Sequence, residues 1–172
     1  MLCRDPSKTE SAVEEVKERS NSDKIKSYYV DLGDLDSIDK CSGELHRDLT
    51  KIDVLLNNAG LMAIPTRETT AQGFEKQMGV NHLGHFALTN LLFDLIEKSP
   101  SGRVVTVSSY AHLLGKLDRS DLMLGKEGSY EAWPAYGSSK LANILFTKSL
   151  ASKLERKNSK TLAVSLHPGV CR

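Results

Sequence analysis

The chain has 172 residues, 40% apolar and 26% charged, and a net charge of +1. Those figures suit one globular domain, residues 1–172, and give no ground for a nucleic-acid partner or for an acidic membrane surface. No apolar run reaches the ~18 residues that would span a bilayer, so membrane attachment is not encoded in this segment.

The opening residues Met1 to Asp5 lack the apolar core of a secretory signal. Cys3, Cys41 and Cys171 are odd in number and far apart, which reads as reduced thiols rather than a disulfide framework or a zinc site. Both readings point to the cytoplasm or the cytosolic face of an organelle membrane.

In chain order, Glu10 to Arg19 is a charged, helix-favouring stretch closed by Ser20-Asn21-Ser22-Asp23. Ile25 to Leu32 reads as a strand centred on Tyr28, Tyr29 and Val30. Asp36 to Thr50 reads as a helix, with Ile38, Cys41, Leu45 and Leu49 at three- and four-residue intervals. A strand at Val54–Leu56 follows, then a loop holding Pro65, then a long helical region from about Thr70 to Glu97. Ser99-Pro100-Ser101-Gly102 separates it from a strand at Val104–Val107. Ala111 to Pro134 is irregular, Tyr136 to Arg156 helical, and Leu162 to Leu166 the last strand. Strands alternating with helices predict βαβ units and a doubly wound parallel α/β sheet.

The chemistry concentrates at strand ends, where open parallel sheets bind ligands. Asp53-Val54-Leu55-Leu56 runs into Asn57-Asn58-Ala59-Gly60, and Arg103 to Val107 delivers Ser108 and Ser109. Asn81 lies within the long amphipathic segment, in Val80-Asn81-His82-Leu83-Gly84. Tyr136 and Lys140 stand four apart, so on a helix a phenol and an ammonium share one face. A neighbouring cation favours a phenolate, which equips such a pair to exchange a proton with a carbonyl or alcohol oxygen. His82 and His85, three apart without a third ligand, read as packing residues and no metal is expected.

Asn-Asn-Ala-Gly, Asn81, Ser-Ser and Tyr-x-x-x-Lys, in this order, resemble the short-chain dehydrogenase/reductase family. The long interval from Ser109 to Tyr136 and the run Ser108-Ser109-Tyr110-Ala111-His112 resemble its retinol-dehydrogenase-like and WW-domain-oxidoreductase-like branch. The resemblance implies a Rossmann-type sheet and hydride transfer between NADP(H) and a carbonyl or alcohol of a small lipophilic substrate. Asn81, Ser109, Tyr136 and Lys140 would be catalytic: Ser109 on the substrate oxygen, Tyr136 exchanging its proton, Lys140 on the nicotinamide ribose, and Asn81 anchoring a relay water. Asp31 would meet the adenine; Asn58, Ala59 and Gly60 would line the adenosine ribose; Pro168, Gly169 and Val170 would wall the nicotinamide. Arg4, just beyond the second family strand, would face a ribose 2′-phosphate, favouring NADP, with NAD possible because Asp5 adjoins it.

The glycine-rich turn that cradles a pyrophosphate, Thr-Gly-x-x-x-Gly-x-Gly in the family, is not found in the sequence. The resemblance therefore implies an incomplete sheet, lacking the first strand and most of the second, and a chain that continues beyond Arg172 in its relatives. Since the first family strand is central, the strands at Ile25–Leu32 and Val54–Leu56 are not expected to pair through. The alternative reading is a catalytically inactive fragment or interaction module that retains the motifs.

Overall fold

A computed structural model describes residues 1–169 and contains two small all-parallel sheets with helices packed on them. Strand β1 (Leu2–Cys3) leads into α1 (Pro6–Ser20). The Asp5 side chain accepts from Ser7 N at 3.0 Å and Pro6 fills the first turn, so α1 starts earlier than its charged stretch suggests. Strand β2 is only Tyr28–Tyr29, shorter than the expected Ile25–Leu32, because its partner β1 offers two residues to pair. Helix α2 (Leu35–Asp48) is capped by Asp34 and buries Ile38, Cys41 and Leu45 on one side.

Strands β3 (Val54–Asn57), β4 (Arg103–Val107) and β5 (Leu162–Leu166) form the second sheet in that order. Leu55 pairs with Val104 and Val104 with Ala163, so these three share one face. That face meets α2, α4 (His85–Leu91) and α5 (Phe93–Glu97) in a core holding Ile38, Leu88, Leu92, Leu95 and Ile96. The opposite face is open, with Val54, Leu56, Leu162, Val164 and Leu166 exposed.

The expected long helix from Thr70 to Glu97 is divided. Residues 69–75 form a turn, and the Glu75 carboxylate accepts from Gln77 N and Met78 N at 2.9 and 2.7 Å, which starts α3 at Lys76 (Lys76–Met78). A π-helical turn, Gly79–Gly84, joins α3 to α4, and Leu92 separates α4 from α5. Gly84 is needed there, since a Cβ would collide with the Leu32 carbonyl. Within the expected irregular stretch, Tyr110–Leu114 forms a 3₁₀ turn, and α6 runs Ala132–Arg156, entering four residues before Tyr136.

Candidate active site

Two cavities meet at the turn that ends β3. The first, about 490 Å³, lies between the β1–β2 pair and β3; Arg4, Asp31, Asn58, Ala59 and Gly60 line it. The second, about 730 Å³, is lined by Ser109, Tyr136, Lys140, Pro168 and Gly169. Asn58, Gly60 and Leu61 line both, so the two cavities adjoin at this turn, with Arg4 on one and Tyr136 on the other.

Helix α6 carries the proton-handling pair. Lys140 Nζ stands 5.5 Å from the Tyr136 ring centroid and donates to the Val107 carbonyl at 3.2 Å. Lys140 is 4% exposed, and burial pushes its ammonium below the ordinary lysine range. Gly60 permits this crowding: a Cβ there would lie 3.5 Å from Lys140 Nζ and 3.1 Å from Asn81 Oδ1. Trp133 stands edge-on to Tyr136, centroids 6.1 Å apart.

The two serines after β4 have different partners. Buried Ser108 donates to the Lys140 carbonyl at 2.9 Å and so ties the strand end to α6. Ser109 accepts from Ala111 N at 3.2 Å, capping the 3₁₀ turn, and both serines line the second cavity. The 3₁₀ turn seats directly on α6 because neither contact residue has a side chain. A Cβ on Gly137 would collide with the Ala111 carbonyl, and one on Gly115 would lie 2.5 Å from the Gly137 carbonyl.

Asn81 lines neither cavity. Fully buried in the π turn, it works from behind: Oδ1 accepts from Leu61 N at 2.7 Å, while Nδ2 donates to Leu61 O and Ser139 Oγ, each at 2.9 Å. One amide thus latches the β3 turn to α6. Of the sequence-predicted residues, the structure gathers Arg4, Asp31, Asn58, Ala59 and Gly60 in one cavity and Ser109, Tyr136, Lys140, Pro168 and Gly169 in the other. Val170 lies outside the described residues. The sequence reading gave no site role to Leu61, Val107, Trp133 or Ser139, and read His85 as a packing residue. Leu61 and Val107 act through backbone groups, which leave no side-chain signal, and Ser139 sits unmarked inside the Tyr136–Lys140 interval.

The comparisons agree with this architecture. Residues 1–121 match the short chain dehydrogenase family model, and the chain belongs to that family. It is 40% identical to human retinol dehydrogenase 13 over 172 residues, all of this chain and 51% of that protein. It is 43% identical to mouse retinol dehydrogenase 12 over 170 residues, 99% of this chain and 52% of that one. The chain therefore spans about half the length of the curated relatives it matches. Among solved structures, an uncharacterized protein from Mycobacterium paratuberculosis superposes with a TM-score of 0.84 at 42% identity, covering 98% of this chain and 57% of that one. A Shigella flexneri short chain dehydrogenase complexed with NADP shares the fold, with a TM-score of 0.74 at 23% identity over 98% of this chain and 64% of its own.

Proposed function

We propose that the chain carries the catalytic centre of an NADP(H)-dependent oxidoreductase that interconverts a carbonyl and an alcohol on a lipophilic substrate. The observation that carries this is the one cavity lined by Ser109, Tyr136 and Lys140, adjoining the cavity that Arg4 lines. The donors fit the two ends of a dinucleotide, a guanidinium at one and a buried ammonium at the other, with a glycine-containing turn between them. Arg4 would hold a 2′-phosphate, Asp31 the adenine, Asn58 to Gly60 the adenosine ribose, and Pro168 and Gly169 the nicotinamide. The coenzyme, when bound, supplies or accepts the hydride.

In reduction, Tyr136 gives its phenolic proton to the carbonyl oxygen, while Ser109 donates a hydrogen bond to that same oxygen and fixes it. In oxidation the phenolate takes the proton from the alcohol. Lys140, its Nζ 5.5 Å from the Tyr136 ring centroid, would orient the ribose. Asn81 holds the β3 turn and α6 at the spacing this requires. Exposed Met62, Tyr110 and Trp133 rim the cavity and suit an apolar substrate body, in keeping with relatives named retinol dehydrogenases.

The test is Tyr136→Phe in the complete reading frame, which removes the exchangeable proton and keeps the ring. Turnover should fall by about 10²–10⁴-fold, the usual contribution of a positioned acid–base group, with NADPH affinity nearly unchanged. Retention of more than about a tenth of the wild-type rate would refute the assignment.

A further inference from the structure

His85 is buried, 4% exposed, at the junction of the π turn and α4, and has no part in the chemistry above. In a regular α-helix the Asn81 carbonyl would accept from the backbone N–H of residue 85. Here that N–H donates to the His82 carbonyl instead. The His85 imidazole takes its place, with Nδ1 at 3.0 Å from Asn81 O. A carbonyl can only accept, so Nδ1 must carry the hydrogen. The rest of the ring forms part of the wall of the first cavity.

We infer that His85 is a positioning residue: its Nδ1–H caps the Asn81 carbonyl, holds the π turn open, and so sets the Asn81 amide against Leu61 and Ser139. π-Helical turns inside helices often mark functional sites, and this one delivers a fully buried side chain that bridges the β3 turn and α6. Burial keeps the ring neutral, with a pKa lowered to about 4, so the tautomer persists at physiological pH. The role in turnover rests on the function proposed above; the contact itself does not.

The side-chain geometry supplies its own test. An asparagine places an N–H donor two bonds from Cβ, where Nδ1 stands, whereas a glutamine places it one bond further, near Nε2. In the complete reading frame, His85→Asn should keep near wild-type kcat. His85→Gln and His85→Leu should each lose about tenfold, with NADPH dissociation constants changing less than about threefold, as expected for one lost hydrogen bond. Wild-type kcat in His85→Leu, or equal losses in His85→Asn and His85→Gln, would overturn the proposal. Nitrogen-15 imidazole spectra of the wild-type protein without coenzyme read the contact apart from turnover. A neutral ring protonated at Nδ1 supports it even if the oxidoreductase reading fails, and a ring protonated at Nε2 overturns it even if turnover is found.

Discussion

Ser108 and Ser109 are indistinguishable as residue types, and only the resemblance to a family selects the second for chemistry. Both line the second cavity, but their hydrogen bonds differ: the Ser108 hydroxyl donates to the Lys140 carbonyl, whereas the Ser109 hydroxyl accepts from Ala111 N and keeps its own hydrogen available. Arg4 raises a similar question at the opposite end of the site. It is exposed at the mouth of the first cavity, beyond β1 and clear of the core. In the complete reading frame, Arg4→Ala should weaken NADPH binding by roughly ten- to a hundredfold, the loss of a charge-assisted contact of about 1.5–3 kcal/mol, and weaken NADH far less. Fluorescence titration with both coenzymes decides it. Equal weakening would mean that the guanidinium does not face a 2′-phosphate.

At the scale of elements, glycines separate close backbone contact from mere tolerance. A Cβ at Gly84 meets the Leu32 carbonyl head-on, whereas one at Gly43 in α2 meets nothing within 4 Å. Gly43→Ala should stabilise by about 0.5–1 kcal/mol through helix propensity alone. Gly84→Ala should destabilise by about 1–3 kcal/mol despite the same propensity gain, since backbone must shift. Denaturation midpoints moving in the same direction would show that the contact between the π turn and Leu32 is looser than the collision of a Cβ there implies. The apolar periodicity made α2 and most of the helix before Glu97 legible. It could not reveal the π turn, because that turn depends on Asn81 finding Leu61, 20 residues earlier, and Ser139, 58 residues later. The two-residue β2 was over-read for a related reason: a strand's length is set by its partner, and β1 supplies only Leu2 and Cys3.

For the whole molecule, the break between the β1–β2 pair and the β3–β4–β5 sheet is what the family resemblance implies, since the first family strand is central, and the structure has it. The break leaves β3 with an unpaired edge, and the second sheet presents Val54 and Leu56, 58% and 57% exposed, on its open face. Such an edge beside an apolar face is a template for association between chains. The 172-residue polypeptide expressed by itself should therefore aggregate with rising concentration and bind NADPH only weakly, as followed by light scattering and titration. A monodisperse monomer with micromolar affinity would contradict this. The seat of the 3₁₀ turn on α6 has a different consequence. Gly115 rests on Gly137, and Ser138 Oγ bonds both Lys116 N and Lys116 O, at 3.0 and 2.8 Å. Residues 117–131 leave the body there and rejoin it at α6, held between by Arg67 on the Met123 carbonyl at 3.2 and 3.0 Å and by Tyr130 on the Ile64 carbonyl at 2.6 Å. Lengthening that excursion raises loop entropy only logarithmically, by about 0.6 kcal/mol per doubling. Insertions between those contacts can lengthen the loop while the seat beneath it, and with it Ser109 and Tyr136, stays in place.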